Sequence, residues 1–115
     1  MKKICKFYYD NFSDRLIISR KNSLDIMHGS VRILNLIFDF TTENKVANIE
    51  ILDASDYLKS LNINPSILNK LTSAEFSFQS VRNGYLISIV LKAGNKIERI
   101  PYNLYLPTQK QIIVQ

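Results

Sequence analysis

The stretch IFDFTTENKVANIEILDASDYL, residues 37–58, decides the fold class. Glu43-Asn44 suits a two-residue hairpin turn, because Asn tolerates positive φ. Counting outward, Thr42 faces Lys45, Phe40 faces Ala47, Phe38 faces Ile49 and Leu36 faces Ile51. Side chains alternate along a strand, so Leu36, Phe38, Phe40, Ala47, Ile49 and Ile51 share one face. The other face carries Asp39 against Asn48 and Ile37 against Glu50. A slip of one residue would mix the two sets, which pins the register. Beyond Leu52 the period lengthens, and Asp53 or Ser55 can cap a helix through Asp56, Tyr57, Leu58 and Leu61.

Upstream, residues 3–9 read as a strand with Cys5, Phe7 and Tyr9 on one face. Residues 10–14 form a turn, and residues 15–20 a second strand with Leu16 and Ile18 on one side. Residues 21–30 read as a loop, and VRILNLIFDF, residues 31–40, as one long central strand. Downstream, Asn64-Pro65 opens a helix through Ile67, Leu68 and Leu71 that stops near Thr72. Asn83-Gly84 is a strong hairpin signal between residues 75–82 and 85–92. That turn sets Val81 against Leu86, Phe78 against Ile89 and Phe76 against Leu91, with Phe76, Phe78, Ile87, Ile89 and Leu91 on one face. It also sets Arg82 against Tyr85. Gly94-Asn95 turns into residues 96–102 with the register left open, and Pro101 marks a strand end or sheet edge. Strands grouped in runs predict an α+β fold, a mainly antiparallel sheet built from hairpins with one or two short helices in mid-chain. One domain is expected over 1–115, divided into a ββββα half (1–60) and a half of helix, hairpins and terminal strand (61–115).

A chain of 115 residues is large enough for one core. No apolar run reaches the roughly 18 residues of a membrane span. Lys6 and the tyrosines Tyr8 and Tyr9 interrupt any signal-peptide core in the first ten residues. One cysteine excludes an intramolecular disulfide and suits a cytoplasmic location. Lys/Arg and Asp/Glu balance over residues 1–56, so the net charge of +5 resides in residues 57–115. This asymmetry predicts a basic surface on that half, unless the lysines are merely scattered solubilising charge.

YDNFSDRLII (residues 9–18) and IEILDAS (residues 49–55) together resemble a family of short prokaryotic domains of unknown function, number 2283 in its series. The resemblance covers about the first 60 residues. The family often has glycines where Asn44 and Asn48 stand here. It implies a small β-rich fold and no activity.

Asp10, Asp14, Asp53 and Asp56 all fall at or just beyond strand ends. If the first turn adjoins the strand–helix junction, they could hold a divalent cation or act as an acid–base pair. The simpler expectation is that Asp10 and Asp14 accept turn N–H groups, while Asp53 and Asp56 complement a helix N-terminus. His28 reads as an exposed loop residue and Cys5 as a small buried hydrophobe. A Cys5–His28 nucleophilic pair has no support in the spacing. No glycine-rich phosphate loop, G-x-S-x-G elbow or HExxH motif is present, and no cofactor is expected.

Tyr85, Tyr102 and Tyr105 fall among Arg82, Lys92, Lys96, Arg99 and Lys110. Such a set can stack bases, bind a protein partner, or be half-buried core with hydroxyls reaching water. The last five residues are uncharged and β-prone, and Ile112, Ile113 and Val114 suit strand pairing with this sheet or a second subunit. The first expectation is therefore a non-enzymatic interaction module, a homodimer through strand edges. A nucleic-acid-binding protein using the basic half comes second, and a carboxylate-based, metal-dependent hydrolase third.

Overall fold

A computed structural model describes residues 5–105. Five antiparallel strands, β1 (Lys6–Asp10), β2 (Arg15–Ser19), β3 (Met27–Ile33), β4 (Leu36–Thr41) and β5 (Val46–Ile51), form one sheet in the order β1-β2-β5-β4-β3. Helix α1 (Ala54–Ser60) and a 3-10 helix (Pro65–Lys70) connect it to a second sheet. That sheet is β6 (Ser73–Val81), β7 (Gly84–Ala93) and β8 (Lys96–Tyr105), in the order β6-β7-β8.

The α+β expectation is overturned. Strands take 57% and helices 13%, in two sheets, so the protein is a β-rich structure with a single short α-helix among the described residues. The helix signals are real, but the elements are short. Asn62 enters the left-handed region (φ 61) directly after α1. There Ile63 N–H donates to Leu58 O at 2.9 Å and Asn62 N–H to Lys59 O at 3.0 Å, a Schellman stop. Pro65 follows at once and opens the 3-10 helix, with Asn64 Oδ1 accepting Ser66 N–H at 2.9 Å.

The register of the β4–β5 hairpin matches the counting at Leu36–Ile51, Ile37–Glu50, Phe38–Ile49 and Asp39–Asn48. Phe40, however, opposes Val46, and Ala47 is bulged. The loop is one residue longer than the expected two-residue turn: Thr41 N–H donates to Lys45 O at 2.9 Å, and Asn44 sits at φ 62. Residues 31–40 do not form one strand. Leu34 turns the chain at φ 52, and Asn35 ties that turn to the end of β5, donating from Nδ2 to Leu52 O at 2.8 Å. β3 begins at Met27, inside the stretch expected to be a loop, with His28 at a bulge.

In the second sheet the turn is Arg82-Asn83, so Phe78 pairs with Ile87 and Phe76 with Ile89. The shift from the expected register is two residues, which leaves every side chain on its expected face. Gly84 belongs to β7, where a Cβ would run into the Leu104 carbonyl. Ala93 pairs with Lys96, which fixes the open register as a two-residue Gly94-Asn95 turn. The inner faces of the two sheets meet in one core, and Phe38 touches Tyr102 and Phe40 touches Tyr85, each at 5.5 Å between ring centres. Leu58, Ile63, Ile67 and Leu68 of the connector join that core.

Candidate partner-binding face

The four candidate carboxylates do not converge. The β1–β2 turn does adjoin the start of α1, because Ala54 N–H donates to Asp14 O at 2.9 Å. Asp14 then caps the helix: its carboxylate accepts Ser55 N–H at 3.1 Å and Ser55 Oγ–H at 2.6 Å, and also Tyr9 O–H at 2.7 Å. Burial pushes the Asp14 carboxyl up, but hydrogen bonds from Ser55 and Tyr9 outweigh it, with Lys59 assisting, and hold it below the usual carboxylate range. Burial, then the bond to Asp14 and the negative charge there, drives the Tyr9 hydroxyl up to about 12. Asp10 instead accepts Ser13 Oγ–H at 2.8 Å and Phe12 N–H at 3.0 Å within its own turn, and those bonds hold its carboxyl low. Asp53 occupies the cap position at φ 49 without a side-chain cap bond, and Asp56 is exposed in the first turn. Among the described residues no group of three or more His, Cys, Asp or Glu could hold a metal ion. Both oxygens of Asp14 accept from fixed donors, and the carboxylate serves as the cap of α1.

Cys5 is half-buried against the core and His28 is exposed. They lie on or beside opposite edge strands of a five-stranded sheet, about 19 Å apart across four strand spacings. They do not form a pair.

The basic and aromatic set divides between two faces. Tyr85 is buried in the core, where its hydroxyl donates to Asn44 O at 2.9 Å. Tyr102 also points inward, against Phe38. Burial raises the pKa of both phenols. Arg82 lies in the β6–β7 turn opposite no strand residue, and Lys96 flanks the β7–β8 turn. Lys92, Arg99 and Tyr105 share the outward face, but Arg99 and Tyr105 are six positions apart on β8, about 20 Å. Glu75 lies in the same cross-strand row as Arg99. No cluster of cations around stacked aromatics results. Lys110 and the self-association candidates Ile112, Ile113 and Val114 lie outside the described residues.

What the second sheet does present is an outer face that is exposed toward the β6–β7 turn and closes at Val90, which is only 8% exposed. Its cross-strand rows are Ser73–Lys92–Ile97, Glu75–Val90–Arg99, Ser77–Ser88–Pro101, Gln79–Leu86–Asn103 and Val81–Gly84–Tyr105. The last three rows carry no charge. Val81, Leu86 and Tyr105 are 36%, 43% and 66% exposed there, and Ile97 is exposed at the opposite end. The solvated face of an antiparallel sheet normally alternates to polar side chains. Ser77, Ser88, Gln79 and Asn103 keep to that rule in the three uncharged rows, whereas Val81, Leu86 and Tyr105 depart from it.

The edges of this sheet are less suited to pairing. Pro101 opposes Ser88 and has no N–H, so it removes a donor from the edge of β8 that no described strand pairs with. On the free edge of β6, Arg20 donates from Nη1 to Phe76 O at 3.3 Å and covers the rings of Phe76 and Phe78. Both are devices that discourage strand addition. No helix among the described residues is long and apolar enough to cross a membrane. Comparison with protein-family models, curated proteins and solved structures yields no match to this chain.

Proposed function

We propose that this protein is a non-enzymatic interaction module that self-associates through the outer face of β6, β7 and β8. One observation carries the proposal: three successive rows of that face are uncharged and expose Val81, Leu86 and Tyr105. Two copies can meet there without opposing like charges. Three strands about 4.8 Å apart, over the roughly 20 Å that these rows span, offer on the order of 300 Å² in projection. That is below the ~800 Å² per partner of a standard interface, so the dimer is a weak one.

Charge gives the discriminating experiment. Packing of uncharged faces persists at high salt, whereas binding through phosphate contacts falls steeply with salt. Light scattering on a size-exclusion column, at rising protein concentration and two salt concentrations, tests the proposal. A mass that stays monomeric at every concentration contradicts it.

A further inference from the structure

Arg20 is the first residue after β2, and its backbone N–H donates to the bulged Ala47 O at 2.7 Å. Its guanidinium carbon lies 5.6 Å from the Phe76 ring centre and 5.3 Å from that of Phe78. Stacking uses the π face of a guanidinium and leaves the in-plane N–H donors available. In the protein those donors meet one acceptor, Phe76 O, at a long 3.3 Å. No carboxylate is within salt-bridge distance of Arg20 among the described residues. The side chain is half-buried, so a cation with spare donors and no salt bridge stands here, with Asp25 the acid on the same cavity wall.

The remaining donors border a cavity of about 240 Å³ lined by Arg20, Asp25, Thr41, Lys45, Val46, Ala47 and Phe78. Lys45 pairs at 3.1 Å with Glu43, but both side chains are largely exposed and such a pair is weak, leaving the ammonium able to turn inward. The buried Thr41 Oγ accepts from Glu43 N–H and Lys45 N–H at 3.2 and 3.3 Å, which leaves its own proton to donate. Asp25 is the one acid on the wall, and its Oδ2 is held by Asn22 N–H at 2.9 Å. We propose that this cavity binds a small oxyanion, a carboxylate or a phosphate, on the Arg20 fork with Lys45 and Thr41 as further donors. The cavity opens to solvent, and its volume admits inorganic phosphate or a short dicarboxylate.

Side-chain NMR on the ¹⁵N-labelled chain tests this, with sodium phosphate and sodium succinate titrated at constant ionic strength against sodium chloride. The expected result is a saturable shift of the Arg20 Nε–H and Thr41 signals with phosphate, succinate or both, and none with chloride. Phosphate alone identifies a phosphate site and succinate alone a carboxylate site. Lys45→Ala, a change at an exposed side chain, weakens binding roughly tenfold, and Arg20→Lys, which keeps the charge but loses the fork, weakens it further. Absence of a saturable shift with both anions overturns the proposal. So does an affinity unchanged in Lys45→Ala.

Discussion

Asp14 caps a helix through a residue 41 positions later in the chain: its carboxylate takes both the hydroxyl and the backbone N–H of Ser55. The same carboxylate holds Tyr9 O–H, so one side chain joins β1, the first turn and α1. Replacing it leaves several donors unpaired in a partly buried place. Asp14→Ala is expected to lower stability by ~1–3 kcal/mol in urea unfolding. Asp53→Asn, which keeps a residue that tolerates positive φ at an exposed position without a cap bond, shifts it by less than ~0.5 kcal/mol. Equal effects would contradict the assignment.

The Asp14–Tyr9 contact also sets a pH window. Asp14 has its folded pKa depressed, so its contribution is complete above the unfolded value near ~3.9 and is lost as pH falls through the lower folded value. Tyr9 has its folded value raised to about 12, so its contribution is complete below ~10 and is lost as pH rises toward the folded value. Thermal melts across the alkaline range should show a falling Tm. Tyr9→Phe should blunt that fall without abolishing it, since Tyr57, Tyr85 and Tyr102 are also raised.

Gly84 is required by contact rather than by the turn it was expected to form. A Cβ there meets the carbonyl of the neighbouring strand. Gly84→Ala is expected to destabilise by at least ~2 kcal/mol, whereas Asn83→Ala in the actual turn costs less than ~1 kcal/mol. Chemical denaturation of the two variants checks the order.

Tyr85 reaches across the two layers to Asn44 O. Tyr85→Phe keeps the ring contacts with Phe40 and Phe78 and removes one hydrogen bond, leaving a carbonyl that solvent can reach. A loss of about 1 kcal/mol is expected. A loss above ~3 kcal/mol would mean that the hydroxyl does more than anchor the β4–β5 loop.

Alternation made the strands legible. The inward set Leu36, Phe38, Phe40, Ala47, Ile49 and Ile51 is buried as counted, and a two-residue error in the β6–β7 register moved no side chain to the wrong face. The breaks were harder. Leu34 at positive φ is a conformation that leucine seldom adopts, so nothing local announced the β3–β4 turn. The first helix ends where it was expected, with Leu61 at its C-cap, whereas the segment opened by Asn64-Pro65 is a 3-10 helix. Asp14 was visible as a candidate, but its partner Ser55 is distant in sequence and only the folded sheet brings them together. Tyr85 shares the parity of Ile87, Ile89 and Leu91, so alternation already pointed it inward, whereas Tyr102 awaited the register of β7 and β8.

The most direct test of self-association through β6, β7 and β8 is sedimentation equilibrium of the wild type and Leu86→Lys, each at low and high salt. Leu86 is 43% exposed, so the substitution leaves the core untouched. The expected result is a weak dimer that persists at high salt in the wild type and a monomer in Leu86→Lys at unchanged Tm. A wild-type monomer at all concentrations, or a dimer indifferent to Leu86→Lys, would contradict it.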